Sequence, residues 1–68
     1  MNIIVNGENK SVTESLTMID LLDVLGLQNK QSIAVAINGE ILSKKDHPKY
    51  IIKEDDIVEI VHAIGGGN

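Results

Sequence analysis

The chain has 68 residues, no cysteine, one aromatic residue (Tyr50) and a formal net charge of -4 at pH 7. That length fits a single domain, and the lack of cysteine excludes a disulfide framework, a thiolate metal site and a cysteine nucleophile. The acidic balance disfavours nucleic acid and offers no basic patch to a membrane. No apolar run approaches the ~18 residues of a membrane span, so a soluble, cytoplasmic chain is expected.

In chain order, Met1 to Val5 is β-rich and is followed by Asn6-Gly7. Asn-Gly supplies the two positive-φ residues of a type I′ turn, which predicts a hairpin whose second strand returns through about Lys10 to Thr13. A helix start follows. Thr17 fits the N-cap, with Asp20 three residues later as in a capping box and Leu16 placed as a hydrophobic staple on Leu21. Loss of the Thr17 cap should cost about 1 kcal/mol. Gly26, after Val24-Leu25, suits the left-handed position that closes the last turn. Helical spacing sends Leu22, Leu25 and Ile19 or Met18 towards a sheet, with Asp20 and Asp23 in water.

A polar loop, Gln28 to Gln31, leads to Ile33-Ala34-Val35-Ala36-Ile37, whose two-sided apolar character predicts a central strand. A second Asn-Gly, Asn38-Gly39, predicts a tight turn into Glu40-Ile41-Leu42. Ser43 and Asp46 suggest one short helical turn that Pro48 stops. Tyr50-Ile51-Ile52 is a short apolar segment, and Lys53 to Asp56 reads as a solvated polar turn into a last strand, Ile57 to Ile64. The fold class is therefore α+β, a mixed sheet with one main helix packed across it.

If the last strand pairs in parallel with the first in the middle of the sheet, both can be apolar on two faces. Alternation then assigns Ile3, Val5, Val58 and Ile60 to the helix side. Ile4, Val61 and Ala63 fall on the other side, as an apolar docking patch beside Gly65-Gly66-Gly67-Asn68. His62 and Ile64 border the same patch. A glycine tail after a strand has no side chain to catalyse or bind metal, and glycine is slim enough to thread a narrow channel. The reading is a body, residues 1–64, and a flexible tail, 65–68, that presents a carboxylate.

Other candidate sites reduce to structure. His47 and His62 lie far apart with no third ligand at suitable spacing, so no metal site is expected. Ser11, Ser15 and Ser43 lack a partnered histidine, Asp55-Asp56 does not read as an acid/base pair, and no helix follows the glycines to make a phosphate loop. The chain is not expected to be an enzyme and calls for no cofactor.

The chain resembles the sulfur carrier proteins of thiamine biosynthesis, the ThiS family of ubiquitin-like β-grasp domains. The likeness rests on Met1-Asn2-Ile3-Ile4-Val5-Asn6-Gly7, the helix Met18 to Leu25, Ala34 to Glu40, the acidic turn Glu54-Asp55-Asp56 and the ending Val58 to Gly67. It implies a β-grasp fold and a carrier whose chemistry is done by partners. An adenylating enzyme activates the terminal glycine with ATP, a persulfide donor supplies sulfur to make a thiocarboxylate, and thiazole synthase takes that sulfur. It implies a monomer when free. Gly67 would be the carrier residue, with Gly66 its motif partner and Gly65 a spacer, but Asn68 follows where the family needs a terminal glycine. Either Asn68 is removed before activation, or it is a gene-end residue that leaves the chain an inactive precursor, or, third in order, transfer runs directly on Asn68. Carriers or modifiers of related pathways, molybdopterin synthesis or tRNA thiolation, share fold and tail and stay open, as does an interaction module with an inert tail.

Overall fold

The computed structural model describes residues 1–27 and 33–62. Strands β1 (Asn2–Val5), β2 (Glu8–Ser11), β3 (Ile33–Ile37), β4 (Glu40–Leu42) and β5 (Ile57–His62) form one sheet in the order β2-β1-β5-β3-β4, with helix α1 (Met18–Val24) after the first hairpin. Three neighbouring pairs are antiparallel, and β1 and β5 run parallel with Ile4 opposite Ile57 and Val5 opposite Val58. β3 is interior, as its two-sided apolar run requires, and β5 holds the middle.

Both Asn-Gly pairs are turns with two left-handed residues. Asn6 and Gly7 have φ of 50° and 85°, Asn38 and Gly39 of 51° and 88°, the signature of type I′ hairpins. The first turn is two residues long, so β2 begins at Glu8, earlier than the Lys10 start read from the sequence. A type I′ turn spends no further residues before pairing resumes, and Val5 faces Glu8 at once.

Helix α1 accounts for its end groups locally. Asp20 N–H donates to Thr17 Oγ1 at 3.2 Å and Thr17 N–H to Asp20 Oδ2 at 3.3 Å, completing the capping box. The other early donors are taken by the later connection: Met18 N–H reaches Tyr50 O at 2.9 Å and Ile19 N–H reaches His47 O at 3.1 Å. No orphan donor is left in the first turn. At the far end Gly26 has φ of 76°; its N–H reaches Asp23 O and Leu27 N–H reaches Leu22 O at 2.7 Å. That pair of bonds is a Schellman closure.

Met18, Leu21 and Leu22 of α1 join Ile3, Val5, Ile33, Val35, Ile37, Ile52, Val58 and Ile60 in one buried cluster, with Leu16, Leu25 and Leu27 packed at its margin. Ile3, Val5, Val58 and Ile60 thus lie on the helix side, as alternation predicts. Between Met18 and Ile19, the structure selects Met18, which is fully buried.

The connection from β4 to β5 contains a 3₁₀ turn, Lys44–Asp46, where Ser43 Oγ bonds Asp46 Oδ2 at 3.1 Å. His47 behind it is buried, with Nε2 3.3 Å from Leu42 O. The expectation of a solvated turn over Lys53 to Asp56 holds for its exposed members but fails at Asp56, which is buried. The reason is a set of donors that the fold brings to its carboxylate. Tyr50 Oη–H donates at 2.7 Å, Lys53 N–H at 2.8 Å and Asn38 Nδ2–H at 3.1 Å. The polar loop Gln28 to Gln31 lies outside the described residues.

Candidate carrier and docking site

β5 is the strand that leads into the glycine segment, and its position is fixed by more than its ladders. Asn6 N–H donates to Val58 O at 2.9 Å, the last main-chain bond before β1 turns into its hairpin. The Asn6 side chain then takes over: Ile60 N–H donates to Oδ1 at 2.8 Å and Nδ2–H donates to Ile60 O at 3.2 Å. A side-chain amide has the same donor and acceptor as a peptide group, so the parallel pairing continues where the backbone leaves it.

Asn38 does the corresponding work at the start of β5. Its N–H donates to Ile57 O at 2.8 Å, while its Oδ1 accepts from Ile57 N–H at 2.9 Å. Its Nδ2 reaches Asp56, joining the second turn to the buried carboxylate. Burial pushes the Asp56 carboxyl up, yet the bonds from Tyr50, Lys53 N–H and Asn38, with the Lys53 charge, outweigh it and hold the group below the usual carboxylate range. Burial, the bond to Asp56 and its charge push the Tyr50 phenol up to about 12. Lys53 Nζ lies 5.1 Å from the Tyr50 ring centroid, within cation–π range. Asp56 is thus an anchor for the entry to β5.

The face of the sheet away from α1 carries the predicted patch. Ile4 is half-buried, and Val61 is 62% exposed. The structure widens the patch beyond the sequence reading: Ile57 joins on β5, Ala34 and Ala36 on β3 and Ile41 on β4, around a shallow concavity of about 590 Å³. Ile41, opposite Ala36 in the second hairpin, is 77% exposed. The Asn38-Gly39 turn carries this signal, since its two-residue register places Ile41 beside Ala36, whereas β1 and β5 alone give only the narrower patch. His62 closes β5. The remaining predicted positions, Ala63, Ile64, Gly65, Gly66 and Gly67, lie outside the described residues. Among the described residues no helix is long and apolar enough to cross a membrane.

Comparison with known proteins agrees with this architecture. The chain is 35% identical over its whole length to part of a thiazole synthase of Paramagnetospirillum magneticum. It spans about a fifth of the length of the thiazole synthases it matches. It is 36% identical over 63 residues to the sulfur carrier protein ThiS of Bacillus subtilis, covering 91% of this chain and 94% of that protein. The crystal structure of the thiamine biosynthesis protein ThiS from Geobacter metallireducens superposes with a TM-score of 0.85 at 35% identity, over 98% of this chain and 100% of that one. Residues 3–67 match the model of the ThiS family. With sequence, sheet order and helix placement in agreement along its length, the chain belongs to the ThiS family.

Proposed function

We propose that the protein is a sulfur carrier for thiazole formation in thiamine biosynthesis and that it holds sulfur as a thiocarboxylate on Gly67, exposed by loss of Asn68. The supporting observation is the likeness to the Bacillus subtilis carrier across nearly all of both chains. The body, residues 1–64, supplies recognition, and residues 65–68 form the tail. The protein itself does not catalyse a reaction.

The chemistry requires a bare acyl end. A carboxylate is a poor electrophile, so a carboxylate oxygen bonds to the α-phosphorus of ATP and pyrophosphate leaves. The outer sulfur of a persulfide then attacks the acyl carbon and AMP leaves. A thiol reduces the resulting acyl disulfide by taking the donor's sulfur into a disulfide, and the thiocarboxylate remains. Glycine presents no Cβ to hinder either attack. Four extended residues span at most ~14 Å, long enough to enter a cleft while the body stays outside. Ordering them costs about 1–2 kcal/mol each, which favours transient binding to an adenylating enzyme and then to a thiazole synthase. The open sheet face, with Ile4 and Val61, is the docking surface in this reading, continued along the chain by His62, Ala63 and Ile64.

The test compares a chain ending at Gly67 with the full chain, each mixed with the adenylating enzyme, ATP and a persulfide. Mass spectrometry should show one oxygen exchanged for one sulfur in the shorter chain alone. Equal conversion of both defeats the trimming step, and conversion of neither defeats the carrier reading.

A further inference from the structure

The open face of the sheet holds a single charged residue among those lining its concavity, and that residue is on the middle strand. On β5, Glu59 lies between Ile57 and Val61 on the same face, and it stands opposite Ala36, which in turn faces Ile41. The small side chains of Ala34 and Ala36 leave a trough between Ile41 on one side and Ile57 and Val61 on the other. Glu59 is exposed at the wall of this trough and forms no side-chain hydrogen bond or ion pair among the described residues.

Charge decides what can cover this surface. A second copy docked about a twofold axis would bring the two Glu59 carboxylates into one apolar interface, where like charges repel and neither is solvated. Residues 63–68 contain no cation, so folding them back would bury Glu59 without a partner. An apolar surface that carries one cation matches both the trough and the carboxylate.

We propose that Glu59 is the specificity charge of this face, pairing with one Arg or Lys set in an apolar surface of the partner, and that the partner is the thiazole synthase; this rests on the carrier reading. The isoleucines and Val61 supply contact area, whereas Glu59 fixes register and rejects surfaces of the wrong sign. A net charge of -4 favours the approach of a basic patch before contact.

The test is titration calorimetry of the full chain against the thiazole synthase, with Glu59→Gln, Glu59→Lys and Ile57→Ser alongside and thermal melts to check folding. Glu59→Gln should weaken binding about thirtyfold or more, with Glu59→Lys weaker still and the melts unchanged. Wild-type affinity in Glu59→Gln overturns the inference, even if Ile57→Ser abolishes binding. Sedimentation supplies a second arm: the wild type should stay monomeric, and a wild-type dimer that Ile57→Ser dissolves would assign the face to a second copy and overturn the proposal. Failure of the wild type to bind the synthase also overturns it. The sulfur-loading assay then separates the two ideas, because a chain that gains sulfur yet ignores the synthase leaves the carrier reading intact.

Discussion

The two faces of the sheet are built from the same kinds of residue and end in opposite states. On the helix side, Ile3, Val35 and Val58 are at most 1% exposed. On the other, Ile41, Ile57 and Val61 remain 77%, 47% and 62% exposed, with nothing of the described chain laid over them. Alternation alone makes both faces apolar; only one is needed for folding. The contrast separates residues that hold the body together from residues left open at the surface, and substitutions on each side should sort accordingly.

The largest effect is expected at Leu21, fully buried under the sheet. Leu21→Ala should cost about 3–4 kcal/mol, enough to populate the unfolded state in a domain whose whole stability is ~3–10 kcal/mol; chemical denaturation measures it. Asp56→Ala comes next, at about 3 kcal/mol, because Tyr50, Lys53 N–H and Asn38 lose their common acceptor. Its pH signature is distinct. A carboxyl held below its ordinary pKa adds stability that is fully present above the unfolded value of ~3.9. That stability fades as pH falls through the depressed folded value, so the variant should show a flatter acid limb in melts. Tyr50, raised to about 12, works in the other direction: its contribution is present below ~10 and fades as pH rises through about 12.

Asn6→Gly keeps the left-handed turn but removes both bonds to Ile60. About 1–2 kcal/mol is expected, with faster amide exchange at Ile60 as the specific readout. Ile41→Ser closes the series. Its stability should change by about 0.5 kcal/mol or less, while its affinity for thiazole synthase falls. An Ile41→Ser protein that unfolds readily would erase the distinction between the two faces.

Much of this was legible because the signals are local. Thr17 and Asp20 are three residues apart, Gly26 sits directly after the helix it closes, and each Asn-Gly pair contains its own turn. The β1–β5 pairing, although distant, was readable from two strands that are apolar on both faces. What escaped depended on contacts across the chain. The Asn6 side chain meets Ile60 at a separation of 54 residues and Asn38 meets Asp56 at 18, so no window of sequence reveals that both turn asparagines clamp one strand. Asp56 closes the run Lys53-Glu54-Asp55-Asp56, whose other members are polar and exposed, and only the fold supplies the Tyr50 and Asn38 that let it be buried. The breadth of the open face was missed for the same reason, since Ile41 joins it through its hairpin partner.

β5 is the last of the described strands and holds the middle of the sheet, lying between β1 and β3. During translation the ribosome delivers the other four described strands before this one, and until it arrives β1 and β3 have no shared neighbour. A polypeptide halted before Ile57 therefore cannot assemble the native sheet. Assembly of the sheet is thereby tied to synthesis of its middle strand, and a product that stops short of it lacks the element that joins its two hairpins.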